Sequence, residues 1–387
     1  MTLVQTRHVA ATGFGVGPRC VAEALGEACS GLAGGAPGFA LVFPPHTLAP
    51  DDVTAQAAAG APGVPWAGMS SDGVIGAGGS VRRGCAAIAF DASVQAGVGV
   101  GRDIGSDPRG AAADATEAAL AALDAEPMLL LLLFDPSPSS HAKVLLGAYD
   151  VAGPDIPIAG GGANASLSAG THTAQFAAGS ACSDSVVAVA VASPAPIGIG
   201  TAHGCMQTGV PAIVTRSSGR TVSALNGRAA EDVYLEALGY RRRELSDTEF
   251  ERVAVVHPLV QLALRGVRPR HVRGRAPGGG LLCAANVPEN AAVGFSEQTP
   301  GSILISAEAA VASALESLPG PPRAVLVFDC AARRGALGTE AGIEIDVVRE
   351  SLPPETPLVG LYTRGEVARV RGASGDLNHA IVVVAFA

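Results

Sequence analysis

A histidine and a cysteine lie two residues apart in TAHGCMQTG, the stretch from residue 201 to residue 209. An imidazolium beside a cysteine favours the thiolate, so His203 and Cys205 are a candidate base and nucleophile if the loop folds them side by side. The alternative is a half-buried structural cysteine in a glycine turn. A metal site is disfavoured, because the sequence places no second close cluster of His, Cys, Asp or Glu beside this pair.

Cys330 is a second candidate nucleophile. It ends the apolar run AVLVFDC and is followed by Arg333 and Arg334. Two nearby cations can lower the pKa of a thiol or hold an anion, so these three residues are also candidates for ligand binding. Pairing of the two arginines with surface carboxylates explains the same pattern equally well.

Two residues near the C-terminal end are candidates for proton transfer, Glu366 in RGEV and His379 in LNHAIVV. A carboxylate on a loop beside buried strands can act as a general base or hold an ammonium group. A solvated hairpin acid is the alternative for Glu366.

Polar residues that follow tight turns are candidates for ligand binding. Ser70, Ser71 and Asp72 follow the first of three Pro-x-x-Gly turns, and Asn164 follows the second. Their side chains can donate hydrogen bonds to a ligand or accept them. Serine, asparagine and aspartate are also ordinary turn residues.

The three turns belong to a pattern that occurs three times. An apolar run that ends in Phe is followed by a stretch able to form one helix, by the turn, and by another apolar run. The opening runs are FALVFPP, LLLLLFDP and AVLVFDC, and the closing runs are GCAAIAF, SVVAVAVAS and HAIVVVAFA. Runs rich in Val, Ile and Ala without alternation indicate strands covered on both faces. The sequence therefore predicts an α/β (α+β) fold of layered mixed β-sheets flanked by helices, with the loops after the turns close together.

The segment 201–275 interrupts this repeat. PAIVTRSSGRTVSALNG is typical of two strands around the turn RSSGR, and AAEDVYLEALG of a helix that ends at Gly239. The residues that follow indicate a small antiparallel insertion. We place a boundary near residue 222, which gives two modules, 1–222 and 223–387.

Composition excludes several classes of function. Apolar residues make up 48% of the chain and the net charge is -9. Because no basic run extends beyond Arg241, Arg242 and Arg243, we expect no nucleic-acid partner. The longest strongly apolar run, Met128 to Phe134, is far shorter than the roughly 20 residues that span a bilayer. The N-terminus lacks the features of a signal peptide, so we expect a cytoplasmic protein with no membrane insertion.

Neither a cofactor nor disulfides are expected. The stretch ATGFGVGPRC is similar to a dinucleotide-binding loop, but Pro18 occupies the third glycine position and no acid-ended second strand follows at the expected distance. The seven cysteines are scattered and form no CxxC pair, so they should be thiols.

Several segments, in order, resemble the FIST domain proteins (F-box and intracellular signal transduction) over almost the whole chain. They are GMSSDGVIG with AAIAF, LLFDPS with PIAGGGANAS, HGCMQTGVPAIVTRSSGRTVSALNGRAAEDVYLEALG, VLVFDCAARRGALG with PLVGLYTRGEVARVRG, and LNHAIVVVAF. The resemblance implies an N-terminal and a C-terminal FIST module that form a sensory unit for amino acids or related metabolites. Glu366 matches a Gly-Glu pair typical of the family. Two departures weaken an amino-acid ligand: the His203 loop lacks the arginine of its relatives, and Asn378 separates Leu377 from His379.

Two hypotheses follow from these residues. The first is a protein that binds a small polar metabolite between its modules, in a pocket lined by the loops after the turns and by the His203 loop. It could act as a homo-oligomer or with a separate signalling partner. The second is a cofactor-independent enzyme, possibly in metabolite biosynthesis, that uses Glu366, His203 or His379 for proton transfer and Cys205 or Cys330 as nucleophile.

Overall fold

The computed structural model describes residues 9–32, 35–76, 78–136, 141–165, 173–241, 245–263, 266–369 and 375–387. Strand β1 (Ala10–Val16) and helix α1 (Cys20–Ser30) precede three copies of one structural unit. The first copy comprises β2 (Pro37–Phe43), α2 (Pro50–Gly60), β3 (Trp66–Met69), the hairpin of β4 (Val74–Gly76) and β5 (Gly79–Val81), β6 (Gly84–Asp91), β7 (Gln95–Arg102) and α3 (Pro108–Ala121).

The second copy repeats this order, but an insertion separates its last strand from its last helix. Its elements are β8 (Leu129–Phe134), α4 (His141–Ala152), β9 (Ile158–Gly162), the hairpin of β10 (Gln175–Ala177) and β11 (Ser180–Cys182), β12 (Ser185–Ala192) and β13 (Ile197–Ala202). The insertion comprises β14 (Met206–Ser218), β15 (Thr221–Leu225), β16 (Arg228–Ala229), α5 (Ala230–Ala237), α6 (Asp247–Val256), β17 (Leu259–Leu262), β18 (Val267–Arg270), β19 (Val272–Ala276), β20 (Gly280–Cys283) and β21 (Ala292–Glu297).

Helix α7 (Pro300–Glu316) completes the second copy, and the third copy follows it. Its elements are β22 (Ala324–Cys330), α8 (Ala331–Leu337), a 3-10 turn (Gly338–Glu340), α9 (Ala341–Glu350), β23 (Leu358–Thr363), the hairpin of β24 (Glu366–Arg369) and β25 (Asp376–Leu377), and β26 (Ile381–Phe386). The predicted fold class is confirmed: mixed sheets are flanked by helices, and β8, β12 and β26 are buried along their whole length.

The three copies exchange hairpins and edge strands in a cycle. Three six-stranded sheets share one order: β1-β6-β2-β3-β10-β11, β7-β12-β8-β9-β24-β25, and β13-β26-β22-β23-β4-β5. The hairpin of each copy thus extends the sheet of another copy, and each edge strand does the same on the opposite side. In each sheet the two middle strands, such as β2 and β3, are parallel. Each of these three sheets therefore contains strands from more than one copy.

A central hydrophobic core joins the three sheets. The inner faces of β2, β8 and β22 contribute Phe43, Leu133 and Phe328, which are all fully buried in the same cluster. The outer face of each sheet packs on its own helices in a separate cluster. The arrangement is a three-sided prism, with helices outside and the core at its centre.

Alternating glycines let one helix lie directly on the edge strand of each sheet. A Cβ atom at Gly15 would lie 2.1 Å from the carbonyl oxygen of Cys20 in α1. The same approach occurs at Gly99 beneath α3 and at Gly200 beneath α7, with distances of 2.1 and 1.9 Å. Gly13 and Gly15 of ATGFGVG therefore serve helix packing, because any side chain there would collide with the backbone of α1.

The insertion forms an eight-stranded sheet around its own core, in the order β18-β17-β21-β14-β15-β20-β19, with β16 beside β15. The predicted strands around RSSGR are confirmed, and α5 ends two residues before Gly239, which has a φ of +80°. Residue 222 lies inside β15. Strands β18 and β19 lie at opposite ends of the sheet but are joined in the chain by a single residue, His271. No helix in the described ranges is both long and apolar enough to cross a bilayer.

Candidate functional site

The loops after β3, β9 and β23 meet at one end of the prism. The Ser71 Oγ lies 2.8 Å from the carbonyl oxygen of Tyr362, and the Tyr362 amide donates to the Gly73 carbonyl at 3.0 Å. On the other side, the Arg364 amide donates to the Gly162 carbonyl at 2.9 Å. These loops follow the carboxyl ends of parallel strands, where α/β proteins commonly bind ligands. The structure thus brings together the loops that the repeated turns predicted to be close.

The serine hydroxyls in these loops hold the backbone. The Ser70 Oγ accepts a hydrogen bond from the Ala174 amide at 2.9 Å, and the Ser71 Oγ is close to two carbonyl oxygens. Asn164 is buried, and its Oδ1 accepts from the Nε of Arg364 at 3.0 Å. Asn164 therefore orients a guanidinium, whereas the two serine hydroxyls contact backbone groups of the fold.

Asp72 and Arg334 lie beside the same loops. An Asp72 carboxylate oxygen is 3.7 Å from His46 Nδ1, and its carbonyl accepts from Arg334 at 3.4 Å. The Arg334 guanidinium stacks on the ring of Tyr362 at 4.6 Å, and burial lowers its pKa. Asp72 is half-buried and supplies one negative charge to this end of the prism.

Three arginines from separate segments form a cluster here: Arg220 in the β14–β15 turn, Arg273 in β19, and Arg364 between β23 and β24. Burial lowers the pKa of Arg273 and of Arg364, and each is lowered further by a neighbour, Arg220 and Arg273 respectively. Among the described residues, none of the three forms an ion pair with a carboxylate. Arg270, by contrast, lies 3.3 Å from Asp376. Within the described residues the cluster therefore carries more positive charge than its neighbouring carboxylate, Asp72, offsets.

His141, the first residue of α4, borders the cluster. Its ring packs so closely on the loop that a Cβ atom at Gly365 would lie 2.1 Å from Cε1. His141 is 8% exposed, and among the residues that the structure describes its Nδ1 has no hydrogen-bond partner. Burial, and then Arg273 and Arg220, lower its pKa to about 4. At neutral pH His141 is an uncharged imidazole beside the arginines.

A chain of side chains connects this region to the His203 loop. The Gln298 amide nitrogen donates to the carbonyls of His203 and His379, and its Oε1 lies 2.8 Å from Nδ1 of His379. Nε2 of His379 is 2.9 Å from Nδ1 of His271. His379 is fully buried and adopts a φ of +54°, whereas His271 is half-buried. His379 thus contacts His271 from the buried side, and His271 is the more exposed of the two.

His203 and Cys205 are adjacent, but the imidazole does not contact the thiol. Nδ1 of His203 accepts from the Cys205 amide at 3.0 Å, and Sγ of Cys205 is 3.7 Å from the His203 carbonyl oxygen. Burial raises the pKa of Cys205 to about 12 and lowers that of His203. Both side chains are therefore neutral at neutral pH, which does not favour a thiolate. Within the described residues no group of three His, Cys, Asp or Glu side chains suits a metal ion.

Arg333 does not share the environment of its neighbour Arg334. It is fully buried and contacts Asp329 at 3.2 Å and Glu344 at 3.0 Å, two carboxylates that are also buried. Arg333 therefore links β22 to α9 within the third copy. Burial raises the pKa of the Cys330 thiol well above its ordinary value, so the nearby arginines do not activate it.

Glu366 is fully buried at the start of β24 and is not a solvated hairpin acid. The Thr363 hydroxyl lies 2.9 Å from its Oε1 and 3.1 Å from the Asp329 carbonyl oxygen. One hydroxyl hydrogen cannot serve both acceptors, and a proton on Glu366 supplies the second hydrogen bond. Burial raises the pKa of Glu366 to about 8, in agreement with this geometry.

Sequence reasoning missed Arg220, Arg273, Arg364 and His271. The available signal was RPRHVRGR, in which arginines alternate around His271 and do not form a continuous basic run. The other two arginines lie in RSSGR and LYTRGEV, segments noted only for their turns and for Glu366. Their convergence depends on how the insertion packs on the prism, which no local pattern encodes.

Comparison with protein families gives two matches. A family model for the FIST N domain matches residues 38–228, and one for the FIST C domain matches residues 230–369. The two matches meet just after β15 and together cover most of the chain. A search of curated proteins found no significant match.

Proposed function

The chain belongs to the FIST family, and on that premise we propose that it binds a small anionic metabolite at the end of the prism where its loops meet. FIST domains are signal-transduction domains, which supports a sensory role for the protein. The ligand-binding role rests on one observation above all, the cluster of Arg220, Arg273 and Arg364 without a carboxylate partner among the described residues.

The positive charges of this cluster favour the binding of an anion. Arg220 contributes to the lowered pKa of Arg273, and Arg273 to that of Arg364. A bound anion would relieve this repulsion between like charges. Guanidinium groups bind carboxylates and phosphates through paired hydrogen bonds. Asn164 accepts from the Nε of Arg364, and among the described residues the terminal nitrogens of this side chain remain for a ligand.

Binding has more support than catalysis by the groups that the sequence suggested. The thiols of Cys205 and Cys330 have raised pKa values, and Glu366 is fully buried beside Thr363. His203 contacts a backbone amide and not a nucleophile. These features favour a ligand held by charge over a reaction carried by a thiolate.

Anion-dependent thermal stabilisation tests the proposal. We expect inorganic phosphate and small dicarboxylates to raise the melting temperature at constant ionic strength, because a ligand that binds only the native state stabilises it. Arg273→Gln and Arg364→Gln should each weaken binding about tenfold or more, since hydrogen bonds to charged groups contribute roughly 1.5–3 kcal/mol.

The matched control is Arg109→Gln, which removes an exposed arginine paired with Asp150 at 2.6 Å on another part of the surface. This variant should respond to anions as the wild type does. Equal responses from all three variants, or no anion response in the wild type, would contradict the proposal. Native mass spectrometry of the purified protein can then identify a retained ligand.

A further inference from the structure

The hydrogen bonds of Gln298 determine which imidazole nitrogens carry hydrogen. Its amide nitrogen faces two carbonyl oxygens, those of His203 and His379, which can only accept. The orientation of the amide is therefore fixed, and Oε1 is the atom that faces Nδ1 of His379 at 2.8 Å. Because an amide oxygen only accepts, Nδ1 of His379 must carry the hydrogen.

The same reasoning extends to His271. With its hydrogen on Nδ1, neutral His379 has a free lone pair on Nε2, which lies 2.9 Å from Nδ1 of His271. His271 must donate this hydrogen bond, so its own hydrogen is on Nδ1. Its Nε2 then carries a lone pair and makes no hydrogen bond within the described residues.

The surroundings of His271 keep it uncharged. Burial, followed by Arg273 and Arg364, lowers its pKa to about 4. The other groups around it are His379, whose pKa lies well below its ordinary value, and Asn378, whose Oδ1 accepts from the His271 amide at 3.4 Å. Arg270, the residue before it, is paired with Asp376 and is mostly buried. Nε2 of His271 is thus a hydrogen-bond acceptor in a region where the guanidiniums of Arg273 and Arg364 are donors.

We propose that the anion bound by Arg220, Arg273 and Arg364 carries its own uncharged hydrogen-bond donor, a hydroxyl group, which donates to Nε2 of His271. This inference rests on the proposed function and specifies its ligand class as a hydroxy acid or a hydrogen phosphate. An ammonium group would also donate, but it would add a fourth positive charge beside three guanidiniums, against which Asp72 supplies only one negative charge. The ligand is therefore a hydroxy acid in preference to an amino acid.

Three four-carbon dicarboxylates that differ only at one carbon test the proposal. L-malate carries a hydroxyl, succinate carries hydrogen, and L-aspartate carries an ammonium. By isothermal titration calorimetry at pH 7, malate should bind about tenfold more tightly than either of the others, as expected for one well-formed hydrogen bond. Hydrogen phosphate and sulfate form a second pair, because sulfate has no hydrogen to donate at this pH.

The variant His271→Phe should reduce the preference for malate over succinate to about one, while His257→Phe should leave it unchanged. His257 is a half-buried histidine of the same insertion, and its Nδ1 contacts the Ser296 carbonyl at 3.0 Å. The wild-type comparison needs no variant, so a loss of folding in either would not prevent a decision.

The outcomes distinguish the inference from the proposed function. A preference of the wild type for the hydroxyl-bearing member in either ligand pair supports the inference, and retention of that preference in folded His271→Phe overturns it. Binding of anions without such a preference in both pairs overturns it and leaves the proposed function intact. Absence of any anion binding overturns both.

Discussion

The protonation of Glu366 is decided by its burial. Its pKa is raised to about 8 from an ordinary value of 4.5, so the folded state retains a proton that the unfolded state has already lost between these values. The contribution of Glu366 to the free energy of unfolding should therefore be largest below pH 4.5. It should be lost as the pH rises to 8 and above. The carboxylate is then ionised in a site that favours the neutral acid.

Replacement of Glu366 by Gln should remove this pH dependence. We expect Glu366→Gln to match the wild type near pH 5 and to exceed its free energy of unfolding by about 4 kcal/mol at pH 9. Urea denaturation at pH 5, 7 and 9 measures this difference. Glu297→Gln, at an exposed position, should follow the wild type throughout. Equal pH slopes for wild type and Glu366→Gln would show that the buried acid is ionised in the folded protein.

Individual residues could be identified from the sequence only where a local pattern marks them. Asn164, Asp72 and Arg334 follow strands in the repeat, and the structure brings all three to the loop junction. Arg333 has the same sequence context as Arg334, yet its side chain points into a buried pair of carboxylates. One step along a helix changes the direction of a side chain by about 100°, and sequence spacing does not say which direction faces the site.

At the scale of elements, the sequence predicts which segments form strands and helices better than it predicts which strands pair with each other. The runs ending in Phe and the turns after them became the parallel strand pairs of three sheets. The glycines of GFG, GVGVG and GIG are a further repeated signal, which marks the edge strand beneath each long helix. The exchange of hairpins is not encoded in this way, because β4–β5 has the same hydrogen-bonding groups whichever sheet it joins.

Gly365, in the turn between β23 and β24, couples the backbone conformation of this hairpin to the candidate site. It has a φ of +82°, and its missing Cβ makes room for the ring of His141. Gly365→Ala should lower the free energy of unfolding by more than the roughly 1 kcal/mol expected for a left-handed alanine, and it should also reduce the phosphate-induced rise in melting temperature. The control is Gly179→Ala in the β10–β11 turn, which has a φ of +76° and open space around it. If both variants lose equal stability and keep the phosphate response, the contact with His141 has no role in the site.

At the scale of the whole molecule, the cyclic exchange makes the two family modules dependent on each other. A fragment of residues 1–228, where the FIST N match ends, would contain β4 and β13 but lack β23 and β26, the strands beside which they pair. It would also lack β24, which covers the edge of β9. Such a fragment exposes unpaired strand edges and one side of the central core, so it should not fold cooperatively.

Full-length protein should therefore unfold in a single transition. Trp66, the single tryptophan, is 5% exposed in β3 and reports on the first sheet, whereas far-ultraviolet circular dichroism reports on all of them. We expect the two signals to give the same urea midpoint, and the fragment of residues 1–228 to show no sigmoidal transition by either. A native-like transition in the fragment, or separate midpoints in the full chain, would mean that one module is stable without the strands of the other. Coincident midpoints would instead mean that the loop junction, built from all three copies, forms only when the whole prism does.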